Sequence, residues 1–199
     1  MPTKPMHFEK ILVIDNFDSF TFNLVDFFRQ SGCSVEVFRN NVEVEQIAWQ
    51  DFDLLVISPG PGVPSTSGNL MAILQEFHKK IPMFGVCLGM EALVEFFGGS
   101  LKFVDPVHGK NSPIAHDGRT IFKNVPPNFV AGRYHSLAAD CVPESLEISA
   151  EFEKIPMAVR HKTLPIEAVQ FHPESVLTMK NNCGAKIIQN VVSGNFANL

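Results

Sequence analysis

Ile81-Pro82-Met83-Phe84-Gly85-Val86-Cys87-Leu88-Gly89 reads as a short buried strand that turns sharply into a helix, with a cysteine at the apex. An unbroken apolar run of this length suits a strand covered on both faces, as in a parallel sheet. Glycines two residues either side of Cys87 permit the cramped backbone of a nucleophile elbow. Such a turn exposes the side chain and sets the sulfur near a helix N-terminus, which favours the thiolate. Free cysteine is also among the most buried residue types, and Cys87 as a small core residue is the competing reading. The elbow needs a base, oxyanion donors and a substrate pocket from elsewhere in the chain.

Outward from the elbow, the first hundred residues repeat a strand-then-helix pattern. Ile11-Leu12-Val13-Ile14 is an apolar run ending in Asp15-Asn16, and Ser19 offers an N-cap for a helix through Arg29 that stops at Gly32. Val35 to Arg39 alternates as a second strand, and Asp53 to Ser58 forms a third, closed by Pro59-Gly60-Pro61-Gly62. A helix from about Asn69 to Lys79 leads into the strand before Cys87, and the helix after it runs to Gly98-Gly99. Four such steps imply right-handed βαβ units and an α/β fold: an open, mostly parallel central sheet flanked by helices. From Ser100 to Phe171 the segments are short, alternating and broken by Gly and Pro, which predicts a smaller antiparallel region, with His161 to Pro165 as a hairpin connection. A last helix spans about Ala185 to Val192. With no internal repeat or long linker, 1–199 is expected to be a single domain with an ordered core of about 8–195.

The chain has 199 residues, 45% of them hydrophobic, enough for a sizeable core. A net charge of −5 argues against a nucleic-acid footprint. No apolar run is long enough to cross a membrane, and the N-terminal residues lack the apolar segment of a signal peptide. Four cysteines (Cys33, Cys87, Cys141 and Cys183) lie far apart, with no zinc-type spacing. These features predict a cytoplasmic protein with reduced thiols and no structural metal.

Functional groups of an open α/β sheet gather beyond the carboxyl ends of its strands. Cys87 satisfies that rule, and so does His172, which follows the apolar strand Ile166 to Phe171 and precedes Pro173-Glu174. A thiol needs an imidazole to take its proton, and the imidazole needs a carboxylate to fix its tautomer. H-x-E alone is weak, since roughly half an occurrence is expected by chance at this composition. Its weight comes from its place at a strand end. His7, His78, His116 and His161 read as surface residues. An oxyanion formed at the carbonyl under attack needs preorganised N–H donors. Leu88, just after the nucleophile, supplies one, and Gly60 in Ser58-Pro59-Gly60-Pro61-Gly62 can supply another. The same loop also reads as a plain tight turn after a strand.

The three stretches S-P-G-P-G, G-V-C-L-G and Q-F-H-P-E-S, in this order, resemble the class I (triad) glutamine amidotransferases over about Ile11 to Val192. The resemblance implies a glutaminase in which Cys87 attacks the side-chain amide of L-glutamine, His172 serves as base and acid, Glu174 orients it, and Gly60 and Leu88 hold the oxyanion. It also implies glutamine binding by Ser136 and Leu137 of Tyr134-His135-Ser136-Leu137. Asp15-Asn16-Phe17-Asp18-Ser19-Phe20-Thr21-Phe22-Asn23 and Val107-His108-Gly109-Lys110 are similar to segments of anthranilate synthase component II and of the 4-amino-4-deoxychorismate synthase glutamine subunit. That similarity implies a partner, a chorismate-using synthase subunit (component I of either enzyme). It implies no cofactor in this chain and Mg in the partner. The pathway is either tryptophan or folate synthesis. The other readings of this fold are a stand-alone γ-glutamyl hydrolase and a non-catalytic regulatory subunit. The family commonly continues the elbow as C-L-G-H-Q, and here Met90-Glu91 stand instead. A carboxylate cannot donate as the amide does, would repel the α-carboxylate of glutamine and would attract its ammonium. Altered glutamine affinity, or a different role for Glu91, is therefore expected.

Overall fold

The computed structural model describes residues 7–196; the remainder of the expected domain, Met1–Met6 and Ala197–Leu199, lies outside them. In chain order come β1 (Lys10–Asp15), α1 (Thr21–Gln30), β2 (Ser34–Arg39), β3 (Leu54–Ile57), α2 (Leu70–Phe77), β4 (Met83–Val86) and α3 (Leu88–Phe96). The second half holds β5 (Ser100–Phe103), β6 (Lys110–His116), β7 (Phe129–Arg133), β8 (Leu137–Cys141), β9 (Leu146–Phe152), β10 (Ile155–His161), β11 (Ile166–Val169) and α4 (Cys183–Val192). Nine strands form one sheet in the order β2-β1-β3-β4-β11-β10-β9-β6-β7, while β5 and β8 pair separately.

The apolar runs read from the sequence become the centre of this sheet. β3, β4 and β11 are buried along their whole length, as is β1 after Lys10. Successive side chains of β1 point to opposite faces. Ile11 and Val13 meet α1 and α4 through Leu24, Phe28 and Ile187, while Leu12 and Ile14 meet α2 and α3 through Leu70, Leu74 and Leu93. Two apolar layers result, one on each face of the sheet.

Several boundaries differ from the sequence reading. α1 begins at Thr21 with Phe20 at its N-cap, not Ser19: Asp18 Oδ1 takes the Phe20 N–H at 2.7 Å, and Asp15 Oδ1 takes the Thr21 hydroxyl at 2.8 Å. The N-cap residue makes no side-chain cap hydrogen bond; Asp18, two residues before it, and Asp15, at the end of β1, steady the entry to the helix instead. The link from β2 to β3 is not an α-helix but two 3₁₀ turns, Val44–Gln46 and Trp49–Asp51, the first closed by a capping box between Glu43 and Gln46. Its apolar residues are too irregularly spaced for a helical stripe. The antiparallel region also contains a parallel strand. β11 runs parallel to β4 and antiparallel to β10, so β10, β9, β6 and β7 extend the main sheet through β11, while β5 and β8 form the small separate antiparallel pair. α4 starts at Cys183, two residues before the expected start.

The turn from β4 into α3 is a close contact between backbones. Cys87 has φ 52° and ψ −104°, a conformation that is strained for a non-glycine residue, by about 1–3 kcal/mol. The flanking glycines do not share that conformation; they are required by proximity. A Cβ on Gly85 would lie 2.7 Å from the Gly89 carbonyl carbon, and one on Gly89 would lie 2.6 Å from the Ile57 carbonyl oxygen. Gly89→Ala is therefore expected to push α3 off β3 and destabilise the protein by about 1–3 kcal/mol or more. A urea unfolding midpoint unchanged from the parent would contradict this contact.

Candidate active site

Cys87 stays in the sheet by its backbone while its side chain leaves it. Its N–H donates to the Val169 carbonyl at 2.8 Å, extending the β4–β11 register, and its own carbonyl accepts from Met90 and Glu91 at 2.9 and 3.1 Å to start α3. Cys87 and Glu91, one helical turn apart, thus face one cavity of about 140 Å³. Gly60, Pro61, Gly62, Tyr134, His135, Ser136 and Leu137 line the rest. Of the residues expected to bind glutamine, Leu137 is buried in the wall and Ser136 is exposed at the rim.

His172 arrives from β11. Its N–H donates to the Gly132 carbonyl at 3.0 Å, and the Thr178 hydroxyl donates to its carbonyl at 2.6 Å. The ring is buried, with Phe20 and Tyr134 each packed against it at centroid distances of 5.0 Å. Nδ1 lies 2.7 Å from Glu174 Oε1. That bond places the imidazole proton on Nδ1 and leaves Nε2 bare; Nε2 is buried without a partner among the described residues. Glu174 is buried as well.

Gly60 fits its place because it lacks a side chain: a Cβ there would come within 2.5 Å of both Asn16 Cβ and Leu88 Cδ2. The Gly60 loop therefore rests on the first residue of α3. Asn16 braces it further. Its N–H donates to Ser58 Oγ and its Nδ2 to the Ser58 carbonyl, both at 2.9 Å, and Asn40 Nδ2 donates to Asn16 Oδ1 at 3.0 Å. Asn16 and Asn40, at the carboxyl ends of β1 and β2, are scaffold residues that sequence reasoning did not single out. Gln170 is another. It is fully buried at the end of β11, its Nε2 donates to Glu91 Oε1 at 2.8 Å, and the same nitrogen stands 3.8 Å from Cys87 Sγ. The polar residue inside an apolar strand was the available signal for Gln170.

Electrostatics overturns one expectation. The helix N-terminus does not win a thiolate at Cys87. Burial pushes the thiol well above its ordinary value, and the Glu91, Glu174 and Asp18 carboxylates push it further, against a Leu88 N–H that points at the sulfur. Full burial moves a pKa by several units, whereas a helix dipole contributes about 1 kcal/mol, less than one unit. Glu91 itself is raised to about 7, chiefly by burial and partly by Glu95, against the Gln170 hydrogen bond. His135 is lowered to about 4 by burial, and its Nδ1 lies 2.6 Å from the Leu137 carbonyl. His161, expected at the surface, is buried. Its Nδ1 accepts the Thr163 and Leu164 N–H groups at 3.1 and 2.9 Å and closes the β10–β11 hairpin. His7 is exposed, and His78 and His116 are half-buried.

A cysteine at an elbow, a histidine aligned by a buried carboxylate, and a glycine loop against the same helix start, on an open α/β sheet, fit the arrangement expected of a triad-type amidotransferase. The chain belongs to the class-I glutamine amidotransferase family, whose model matches residues 12–192. Anthranilate synthase component 2 of Methanocaldococcus jannaschii is 46% identical, with 96% of this chain and 100% of that protein covered. Aminodeoxychorismate/anthranilate synthase component 2 of Bacillus subtilis is 41% identical over 92% of this chain and 95% of that one. In fold, the crystal structure of a Thermoplasma acidophilum protein, provisionally assigned as part of a GMP synthase, superposes with a TM-score of 0.83 at 24% identity, covering 94% of each chain. No helix among the described residues is long and apolar enough to cross a membrane.

The raised Glu91 has a measurable consequence for stability. Its folded-state pKa of about 7 exceeds its ordinary 4.5, so its contribution is fully present below about pH 4.5 and is lost as pH rises through about 7. Glu91→Gln removes that penalty. Urea unfolding is expected to show variant and parent diverging between about pH 5 and 8, the variant more stable at the alkaline end by up to about 3 kcal/mol. A difference independent of pH would contradict the buried carboxylate.

Proposed function

We propose that this chain is the glutaminase subunit of anthranilate synthase: it hydrolyses L-glutamine through a Cys87 thioester and passes ammonia to a chorismate-using component I. The observations that support the reading are Cys87 on a strained elbow at the end of β4 and, just past the neighbouring β11, a His172 whose Nδ1 is bonded to Glu174 and whose Nε2 has no partner among the described residues. The Cys87 proton moves from Sγ to His172 Nε2 as sulfur attacks the side-chain carbonyl carbon. The oxygen becomes an anion facing the Gly60 and Leu88 N–H groups. The C–N bond then breaks, His172 returns the proton to the leaving nitrogen, and ammonia departs from a γ-glutamyl thioester. Water, deprotonated by His172, attacks the thioester; glutamate leaves and the thiol is restored. Ser136 and Leu137 hold the amino-acid end of the substrate. Every step draws on protein groups, so no cofactor of this chain takes part.

Ammonia, unlike ammonium, must be delivered without equilibrating with solvent, so the synthase partner has to cover the cavity mouth. Phe17, Phe22, Phe103 and Val176 are exposed apolar side chains, and Phe103 pairs across from Leu137 of the cavity wall. Single exposed apolar residues are ordinary, but Phe103 beside the cavity wall suits a docking face there. The double name of the Bacillus subtilis relative supports a second reading, in which the same chain also serves aminodeoxychorismate formation for folate. Reduced thiols fit a cytoplasmic setting for either.

With component I present, Cys87→Ser and Cys87→Ala are expected to lower glutamine-dependent product formation by at least about a thousandfold, while ammonium salts still support synthesis. Glutamine-dependent synthesis persisting in either variant would refute the mechanism. The product of the reconstituted complex, anthranilate or aminodeoxychorismate, decides the pathway.

A further inference from the structure

Glu91 stands where the family usually has an amide, and the structure places it in contact with the machinery rather than beside it. Its Oε1 and Cys87 Sγ share one partner, Gln170 Nε2, at 2.8 and 3.8 Å. The carboxylate and the thiol also line the same small cavity, into which no Lys or Arg among the described residues projects. Across that cavity His135, neutral and buried, has its Nδ1 on the Leu137 carbonyl and leaves Nε2 as an unpartnered acceptor. Glu91 is the carboxylate among the residues lining the cavity, which suits a cationic donor.

We propose that Glu91 couples substrate recognition to nucleophile activation: its carboxylate keeps the empty site unreactive, and the α-ammonium of bound glutamine, by pairing with that carboxylate, frees Cys87 to give its proton to His172. This rests on the glutaminase reading above and says how that site knows that an amino acid, rather than a bare amide, has arrived. The charges that face Glu91 are Cys87 and Glu95 on its own helix side and His172 beyond β11, with neutral Gln170 between, while Glu174 and Asp18 act on Cys87 with it. Of these anions, Glu91 is the one that lines the cavity beside Cys87, so a bound cation meets it directly. Gln170 holds the two groups side by side, its Nε2 donating one hydrogen to Glu91 Oε1 and the other to Cys87 Sγ.

Two measurements on the intact protein test this. In the first, iodoacetamide alkylation of Cys87 is followed across pH without substrate. Glu91→Gln, nearly isosteric, is expected to move the midpoint about one unit lower, alkylating about tenfold faster at a fixed pH below the midpoint. In the second, the complex with component I is given L-glutamine or its α-hydroxy analogue, which carries no ammonium. The parent is expected to prefer glutamine in kcat/KM by a ratio that grows as pH rises through about 7, while Glu91→Gln loses about tenfold of that ratio and its pH dependence. The second comparison on the parent alone remains decisive should the variant fail to fold. An unshifted alkylation profile, or a preference flat with pH, overturns the coupling. A parent complex without any glutamine-dependent activity would instead overturn the glutaminase reading itself.

Discussion

Helix α3 begins with its backbone resting on strand β3, and the site is built on that contact. Because Gly89 carries no side chain, the first turn of the helix closes onto the Ile57 carbonyl. This forces the chain to turn within the single residue Cys87, which takes the strained φ that aims its sulfur into the cavity. Ile57 is also the last residue of β3, directly before the Ser58–Gly62 loop. The same contact therefore fixes the nucleophile and brings Gly60 against Leu88. Moving either backbone would shift the Gly60 N–H, a donor in the proposed mechanism, away from the sulfur.

Around that turn the parallel sheet delivers the remaining parts from separate strands. β4 supplies Cys87, β11 supplies Gln170 and then His172, and β1 supplies Asn16 to brace the loop after β3. The opening segment Asp15 to Asn23 finds its reason here. Asp15 and Asp18 accept from Thr21 and Phe20 at the entry to α1, Asn16 holds Ser58, and Phe20 packs against the His172 imidazole. The electrostatic balance runs against reactivity. Burial, joined by the Glu91, Glu174 and Asp18 carboxylates, pushes the Cys87 thiol up and disfavours the thiolate in the empty site.

The strand runs and the elbow were legible because burial on both faces demands unbroken apolar residues and because close backbone contact demands glycine. The placement of Cys87 just past β4 and of His172 just past β11 was legible from the apolar runs that precede them, and the packing of Gly60 against Leu88 from its rigid, proline-flanked loop. What escaped depends on contacts distant in sequence. Ser19 does not cap α1; Asp15, at the end of β1, instead accepts from the Thr21 hydroxyl at the first residue of the helix. β11 reads like any strand of the antiparallel half, and only its partner β4 makes it parallel. The state of Cys87 was misread because the helix N-terminus is a local signal, whereas the burial that outweighs it comes from residues all along the chain. Gln170, between Glu91 and the sulfur, has a role visible only once α3 and β11 are side by side.

The central claim is that glutamine acylates Cys87 and no other residue. Rapid quenching of the assembled complex during turnover with glutamine, followed by peptide mass spectrometry, tests it directly. A γ-glutamyl group on the Cys87 peptide, formed and lost at rates compatible with turnover, is the predicted result. Turnover with Cys87 unmodified throughout, or with the adduct on Cys33, Cys141 or Cys183, would contradict it.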